Sequence, residues 1–236
     1  MAPKLKNTCL CAIVRDGKVN PAGGILDYVQ SVVPHVDAAI IVDTGSTDGT
    51  REILEECAGK YKNLKIYDRK FTGFADARNY SLKKGRTVGT GYCLVLDADE
   101  RLTKKDFKHV NGVVKDRDGF DHVYKFGFKH MLVGGQLTDV PDWQERLFGF
   151  ETEPSFENAL WETLSFGKGS YSGQYTGVPI KHFLPPHEGR VAKRDWYDQI
   201  ESSADPHQIR ENPMAPSQHE DFSLWKEVNP HRDRFR

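Results

Sequence analysis

Residues 92–100 read YCLVLDADE, a short apolar run that ends abruptly in three carboxylates. A run of this kind predicts a strand that is buried on both faces of a sheet. In an extended chain alternate side chains point the same way, so Asp97 and Asp99 are expected to face one point. Their like charges repel each other unless a cation lies between them. Mg²⁺ or Mn²⁺ is the natural candidate, because hard divalent ions prefer oxygen ligands.

Strand-like and helix-like segments alternate through the first half of the chain. The predicted strands are 8–14, 38–42, 64–67 and 92–96, and the predicted helices are 25–33, 47–57, 74–84 and one that opens at 103–106. This alternation predicts an α/β fold, in which a mostly parallel central sheet is flanked by helices. Ligands of such sheets bind at the carboxyl ends of the strands, where the two aspartates lie.

The second half of the chain has a different character. Residues 120–150 are aromatic and β-rich, with the glycines at 134–135 as a predicted hairpin turn. A helix is predicted at 188–203. Residues 204–236 are rich in proline, histidine and charge with weak periodicity, which predicts an extended tail or a linker. The sequence thus predicts a smaller β-rich region beside the parallel sheet.

The composition argues against two classes of partner. The 33 basic and 34 acidic residues leave a formal net charge of −1, so no overall field attracts nucleic acid or an anionic membrane. The lack of an apolar leader and of any membrane-length segment predicts a soluble, cytoplasmic protein with no integral membrane segment. The four cysteines lack zinc-ligand spacing and are interpreted as buried free thiols in a reducing compartment.

A turn-forming segment, DTGSTDGT at 43–50, follows the second predicted strand. Its glycines and small hydroxyl residues permit a tight turn and the close approach of a ligand to the backbone. Thr47 or Asp48 is expected to cap the next helix, because its side-chain oxygen accepts hydrogen bonds from free amides of the first turn. Asp43 closes an apolar strand and needs a partner, such as the donor groups of a base or a ribose.

Three segments in this order resemble the family 2 glycosyltransferases of the GT-A fold: IIVDTGSTDGT at 40–50, FADARNYSL at 74–82 and LVLDADE at 94–100. The resemblance covers roughly residues 7–200 and is strongest up to Arg101. It implies a single GT-A domain over 1–203, with a nucleotide-binding half at 7–118 and an acceptor-side half at 119–203.

The resemblance also implies an activity. The expected enzyme is an inverting, metal-dependent hexosyl- or deoxyhexosyltransferase with an Asp-x-Asp motif. Its donor is expected to be a nucleoside-diphosphate sugar, with a UDP-sugar favoured. Its acceptor is expected to be a carbohydrate-type hydroxyl on a glycan, a lipid or a protein-linked chain, and its cofactor Mn²⁺ or Mg²⁺.

Roles for individual residues follow from the same resemblance. Val14 and Arg15 are expected to border the nucleobase, Asp43 to bind it, and Arg78 to contact the ribose or the diphosphate. The implied nucleotide-sugar-binding residues are Val14, Arg15, Asp43, Thr44, Arg78, Asp97, Ala98 and Asp99. The implied metal ligands are Asp97, Asp99 and His182, and an imidazole ligand favours Mn²⁺ over Mg²⁺.

Downstream segments point to a catalytic base. The stretches QERLF at 144–148 and LWE at 160–162 correspond to Arg-x-Phe and Val-His-Glu segments of many relatives, with Trp161 in place of the histidine. The resemblance implies Glu162 as the base that deprotonates the acceptor, with Asp142 as the second candidate. For both carboxylates the alternative is an ordinary surface charge.

Four other residues have two possible interpretations, and one more is a substitute candidate. Asp76 either assists the nucleotide or is a helix-face charge, and Glu100 either supports the metal or is solvated. His187 is a substitute for His182 as a metal ligand. Trp143 and Trp161 either stack on a sugar or belong to the core.

Two other functions compete with glycosyl transfer. A sugar nucleotidyltransferase also uses an α/β sheet and an acidic metal site, but it usually has a glycine-rich phosphate loop after the first strand. The loop RDGKVNPAGG at 15–24 matches that pattern only faintly. A catalytically inactive nucleotide-sugar-binding module is the other alternative, and the intact pair Asp97 and Asp99 argues against it, because unused like charges are costly.

Overall fold

The computed structural model describes residues 3–115, 122–132, 135–136, 143–168 and 173–185, together with the single positions 191 and 198. In this part of the chain the strands are β1 (Leu5–Val14), β2 (Val36–Asp43), β3 (Leu64–Asp68), β4 (Tyr92–Leu94), β5 (Glu100–Arg101), β6 (Val123–Leu132), β7 (Gly135–Gln136), β8 (Trp143–Gly149), β9 (Pro154–Glu157), β10 (Thr163–Phe166) and β11 (Gln174–Phe183). The helices are α1 (Ile25–Val32), α2 (Thr50–Lys60), α3 (Phe74–Arg86) and α4 (Lys104–Lys115), with 3-10 turns at Val33–His35 and Phe150–Thr152.

One mixed sheet organises the described residues, in the order β3-β2-β1-β4-β8-β6-β11-β5, with β7 paired to β6. The strands β1 to β4 are parallel. β8 runs antiparallel to both β4 and β6, whereas β6 and β11 are parallel to each other. The predicted parallel arrangement thus describes the first half, and the β-rich half continues the same sheet in mixed directions. β9 and β10 form a separate two-stranded sheet.

The parallel strands are buried on both faces, as their apolar sequences predict. All β2 residues from Ala39 to Val42 are inaccessible to solvent. One face of β1 packs toward α1, and its other face, which carries Cys9 and Cys11, packs toward α3. A Cβ atom at Gly85 would lie 2.5 Å from Sγ of Cys11, so α3 approaches the sheet this closely because residue 85 has no side chain. The four cysteines are buried and free, as interpreted from the sequence.

One predicted helix start is confirmed in detail, and the other is displaced. α2 begins at Thr50, and Gly49 takes the N-cap position in place of the predicted Thr47 or Asp48. Oδ1 of Asp48 still accepts hydrogen bonds from the amide and the hydroxyl of Thr50, at 2.9 and 2.6 Å. At α4 the Asp106 amide donates to Oγ1 of Thr103 at 3.2 Å, and the Thr103 amide donates to Oδ2 of Asp106 at 2.7 Å. This reciprocal pair is a capping box in which Asp replaces Glu or Gln.

The fourth strand is shorter than predicted, because β4 ends at Leu94 rather than at residue 96. Beyond it the Val95 amide donates to the carbonyl of Arg146 at 2.7 Å, and the Glu100 amide donates to the carbonyl of Asp97 at 2.9 Å. The second of these bonds closes a turn. The sequence prediction assumed that strand alternation makes Asp97 and Asp99 point the same way. Because these residues lie in a turn, the turn and not the alternation decides where their side chains point.

Other predictions fall partly outside the described residues. β6 and β7 pair antiparallel with Leu132 opposite Gly135, as a hairpin requires, but residue 134 itself is not described. The predicted helix at 188–203 is described only at positions 191 and 198, and the predicted tail at 204–236 is not described. The domain boundary at 203 therefore stays a prediction. No helix in the described ranges has both the length and the hydropathy needed to cross a membrane.

Candidate active site

A turn after β4 presents two carboxylates at the carboxyl edge of the parallel strands. The side chains of Asp97 and Asp99 are 28% and 29% exposed. The turn is fixed by β11, because Glu100 lies opposite His182 in the β5–β11 pair and the Phe183 amide donates to the carbonyl of Asp99 at 3.0 Å. The two aspartates lie at the edge of the sheet where the sequence predicted them. They do not face a single point, because Asp97 contacts Arg78 and Asp99 lies near His182.

Arg78 on α3 joins two predicted site residues. Its Nη1 and Nη2 donate to the two carboxylate oxygens of Asp97 at 2.9 and 3.0 Å, and its Nε donates to Oε1 of Glu162 at 2.7 Å. The Arg78 side chain is only 8% exposed. Burial opposes these charges, but their mutual attraction raises the pKa of Arg78 and holds the pKa of Asp97 well below its usual range. We call Arg78, Asp97 and Glu162 the Arg78 cluster.

Glu162 lies in a loop between β9 and β10 that is attached to α3. The side chain of Asn79 donates to the carbonyl of Phe156 and accepts from its amide, both at 2.8 Å. The Phe74 amide, at the start of α3, donates to the carbonyl of Ala159 at 2.8 Å. Because α3 also carries Arg78, these bonds hold the loop and the arginine in one unit. The predicted base is thus positioned by a helix that is distant from it in sequence.

Asp99 lies beside His182, which in turn contacts His130, a residue that the sequence did not single out. Nε2 of His182 is 3.6 Å from Oδ2 of Asp99, and Nδ1 of His182 is 3.1 Å from Nδ1 of His130. Burial lowers the pKa of His182, but the carboxylates of Asp99, Glu100 and Asp97 outweigh burial and raise it. No sequence motif marks His130, which lies on β6 directly across from His182 on β11.

The chemistry of these side chains fits a divalent cation held jointly with a ligand. Within the described residues no group of three or more His, Cys, Asp or Glu side chains is arranged to hold a metal ion. Each oxygen of Asp97 accepts one hydrogen bond from Arg78, so Asp99 and His182 are the two members of the predicted set that are not bound to this guanidinium. Mg²⁺ is commonly bound by one or two carboxylates together with substrate phosphates, so two protein donors suffice.

Glu100 is not solvated. It is 1% exposed, its Oε1 accepts from Nη2 of Arg146 at 2.5 Å, and its Oε2 accepts from the Asp97 amide at 3.0 Å. Burial raises the pKa of Glu100 to about 7, against the opposing charge of Arg146. Arg146 belongs to the QERLF segment noted in the sequence, and its Cζ lies 5.3 Å from the ring centroid of Phe128. Arg146 therefore links the second half of the sheet to the turn after β4.

The predicted nucleobase residues meet at the ends of β1 and β2. Asp43 is 3% exposed, and its Oδ1 accepts from the amides of Gly45 and Ser46 at 3.0 and 2.8 Å. The amide and the hydroxyl of Thr44 both donate to the carbonyl of Val14, at 2.9 and 3.1 Å. Thr44 thus ties the two strand ends together. The expected turn in this segment and the expected position of Asp43 are both observed.

The loop after β1 is locked against the loop after β2. Oδ1 of Asp16 accepts from the Thr47 amide at 2.7 Å, and the Asp16 amide donates to Oγ of Ser46 at 3.0 Å. Asp16 adopts a positive φ of 48°, a strained conformation for a residue with a side chain. Nε of Arg15, the predicted nucleobase neighbour, lies 3.6 Å from Oδ2 of Asp16.

Asn20 and Arg101, which sequence reasoning missed, connect this first loop to the turn after β4. Nδ2 of Asn20 donates to the carbonyl of Ala98 at 3.1 Å, while its Oδ1 accepts two amides of its own loop. The buried guanidinium of Arg101 donates to four carbonyl oxygens, those of Ala98, Glu100, Ala22 and Gly24. The sequence offered one signal for these two residues, which is that Asn20 lies in the loop at 15–24 and Arg101 directly follows LVLDADE.

The remaining candidates are paired elsewhere, exposed, or outside the described residues. Asp76 forms a two-bond ion pair with Arg69 at 3.0 and 2.7 Å, which agrees with the helix-face interpretation. Trp143 and Trp161 are 43% and 67% exposed, so neither is a core residue. Asp142 and His187 are not described.

Sequence comparison identifies the family. The profile described as Glycosyl transferase family 2 matches residues 22–150, which is more than half of the chain. The uncharacterized glycosyltransferase MG025 of Mycoplasma genitalium is 32% identical over 71 residues, which cover 30% of this chain and 24% of that protein. The aligned part thus spans about a quarter of the length of this curated relative.

Structural comparison identifies the fold. S. aureus TarS 1–349 in complex with UDP has a TM-score of 0.51 and 13% identity, covering 86% of this chain and 68% of that one. The mannosyltransferase PcManGT from Pyrobaculum calidifontis, in complex with GDP-Man and Mn²⁺, has a TM-score of 0.51 and 14% identity, covering 100% and 76%. The predicted GT-A fold is confirmed by these neighbours. The chain belongs to glycosyl transferase family 2.

Proposed function

We propose that this chain transfers a sugar from a nucleoside-diphosphate sugar to a hydroxyl acceptor, with inversion at the anomeric carbon. Family membership supports transfer of a glycosyl group. The observation that carries the rest is the Arg78 cluster, in which one buried guanidinium joins Asp97 of the Asp-x-Asp motif to Glu162. Arg78 thereby holds Glu162, the proposed base, close to Asp97 on the proposed donor side. Transfer between two bound substrates requires that such groups be held close together.

The donor is proposed to bind along the carboxyl edge of β1, β2 and β4. Its base would lie at Val14, Arg15, Asp43 and Thr44, and its diphosphate near Ala98 and Asp99. TarS has been crystallised with UDP and PcManGT with GDP-Man, which supports a nucleotide-linked donor. A UDP-sugar is the favoured choice on the resemblance of the motifs.

Mn²⁺ or Mg²⁺ is the proposed cofactor, with Asp99 and His182 as its protein ligands. The Mn²⁺ in the PcManGT complex supports this choice. Such an ion, when bound, neutralises negative charge that develops on the leaving diphosphate. Asp97 is proposed to contribute mainly by holding Arg78, because its two oxygens already accept hydrogen bonds from that residue.

Glu162 is proposed to accept the proton of the attacking hydroxyl. Its Oε1 is held by Nε of Arg78 at 2.7 Å, which leaves Oε2 for the acceptor. Arg78 has five N–H donors and uses three in the cluster, so two remain for a diphosphate oxygen. A single displacement with the base and the leaving group on opposite faces of the sugar inverts the anomeric carbon.

The structure does not favour nucleotidyl transfer. Backbone amides of the loop after β1 already donate within the protein, at Asp16, Lys18, Ala22, Gly23 and Gly24. A phosphate-binding loop presents such amides to its ligand. A purely binding role is also not favoured, because the buried Arg78 forms an ion pair with the partly exposed Glu162 beside the acidic motif.

A screen of donors tests the proposal. The purified chain is incubated with Mn²⁺ and UDP-glucose, UDP-galactose, UDP-N-acetylglucosamine or GDP-mannose, and thermal shift and product release are measured. A true donor raises the melting temperature and is cleaved to nucleoside diphosphate. Pyrophosphate release instead would support a nucleotidyltransferase, and binding without any cleavage, even with oligosaccharide acceptors present, would support an inactive binding module.

A further inference from the structure

His130 forms a direct contact with the proposed metal ligand His182. The two residues lie opposite each other on the parallel strands β6 and β11, and their Nδ1 atoms are 3.1 Å apart. Their ring centroids are 5.2 Å apart, and Phe128 contacts both rings, with centroid distances of 6.1 and 6.0 Å. This packing fixes the orientation of both imidazoles.

The contact restricts where the protons lie. A hydrogen bond between two Nδ1 atoms requires one of them to carry the proton and the other to accept it. Nε2 of His182 points toward Asp99, at 3.6 Å. An imidazole nitrogen binds a metal only when it carries no proton. If Nε2 of His182 is to bind a cation, the remaining proton must be on its Nδ1, and Nδ1 of His130 must accept it.

We propose that His130 is a positioning residue for His182, and this inference rests on the proposed function. In this arrangement His130 keeps its own proton on Nε2, and its Nδ1 accepts the Nδ1–H of His182. Nε2 of His182 is then free of a proton and aimed at a cation beside Asp99. In the opposite arrangement His130 donates, Nε2 of His182 carries the proton, and His182 cannot bind the cation.

Two substitutions at one position separate this role from simple packing. His130→Leu removes the acceptor and keeps an apolar side chain of similar size. His130→Asn keeps an acceptor oxygen close to the position of the histidine Nδ1. The Mn²⁺ affinity of each variant is measured from the electron paramagnetic resonance signal of free Mn²⁺, without nucleotide and with saturating UDP. Thermal melting checks that each variant is folded.

The expected result is a loss of Mn²⁺ affinity of about 10- to 100-fold in His130→Leu, the range seen when the partner of a metal-bound histidine is removed. His130→Asn is expected to bind Mn²⁺ almost as tightly as the natural chain. His122→Leu, just before the start of β6, is the control and is expected to leave the affinity unchanged. Undiminished Mn²⁺ affinity in a folded His130→Leu protein would overturn the inference, as would an equal loss in His130→Asn.

His182→Leu distinguishes this inference from the proposed function. If His182→Leu loses Mn²⁺ affinity and His130→Leu does not, only the role of His130 is wrong. If neither variant loses affinity, or the natural chain binds no Mn²⁺, the proposed metal site itself is wrong. Electron spin echo modulation from nitrogen gives a further check, because two coordinated nitrogens in the natural chain would make His130 a ligand and overturn its positioning role.

Discussion

The two halves of the sheet build the candidate active site in different ways. In the first half, four parallel strands end at one edge, where Asp43 closes β2 and the candidate site residues Asp97 and Asp99 lie in the turn after β4. In the second half the strands run in mixed directions, and Glu162 and His182 come from a loop and from the end of β11. The candidate site residues of the first half therefore belong to local sequence motifs, whereas those of the second half are brought to the site by tertiary contacts.

This difference has a functional meaning. The contacts that complete the site cross between the halves, since Arg78 and Glu162 are 84 residues apart and Glu100 and Arg146 are 46 residues apart. We expect changes in the strand-end loops of the first half to weaken donor binding. Changes in the contacts that join the halves are expected to slow the chemical step.

The largest expected effect is at the proposed metal site. Asp99→Ala should reduce transfer by at least about 10³-fold, because charge stabilisation by a bound metal is worth several kcal/mol in the transition state. Nucleoside diphosphate release with Mn²⁺ present is the measurement. EDTA should abolish activity in the natural chain, and added Mn²⁺ or Mg²⁺ should restore it. Glycosyl transfer that continues in the presence of EDTA would contradict the proposed metal cofactor.

A large effect is also expected at the contact between the halves. Arg78→Met leaves two carboxylates without their buried cation and should lower the free energy of unfolding by about 3 kcal/mol. Arg78→Lys keeps the charge but not the three hydrogen bonds, so its stability loss should be smaller while kcat still falls. Denaturant unfolding and steady-state kinetics measure both. A raised donor KM with an unchanged kcat in Arg78→Lys would assign Arg78 to nucleotide binding alone.

An intermediate effect is expected in the loop after β1. Asn20→Ala removes the hydrogen bond to Ala98 and two bonds within the loop, and should cost about 1 to 2 kcal/mol of stability. Because the loop flanks the proposed donor site, we expect the KM for the donor to rise while kcat changes little. Asn63→Ala, which removes bonds to the carbonyls of Val33 and Val36 far from the turn, is the control for stability without the KM effect.

The smallest expected effect is at Asp76. The pair with Arg69 is substantially exposed, so Asp76→Asn should lower stability by less than about 1 kcal/mol at neutral pH and leave kcat unchanged. The hydrogen bonds from Arg69 lower the pKa of Asp76 in the folded state. The stabilisation is therefore present above the unfolded pKa and is lost as the pH falls. Unfolding curves of both proteins should converge in acid, and a strong loss of kcat would place Asp76 in the site.

The sequence predicted well where the polar side chains of the first half lie, because a strand end followed by a polar motif fixes the position of a residue at the edge of the sheet. Asp43 and the turn after β4 are examples. The sequence was less informative about which side chains these residues contact. The turn after β4, which ends at Leu94, places Asp97 against Arg78 and Asp99 near His182. His130 was missed, since only the pairing of β6 with β11 brings it to His182.

The central claim is that Glu162 in the Arg78 cluster is the base of an inverting transfer. The most direct measurement compares Glu162→Gln with Glu157→Gln, an exposed carboxylate five positions earlier in the same segment, for donor binding and for turnover. Loss of the base should reduce kcat by about 10²- to 10⁴-fold while donor affinity is retained, and the Glu157 variant should be fully active. A Glu162→Gln protein with normal turnover would contradict the account and place the base elsewhere.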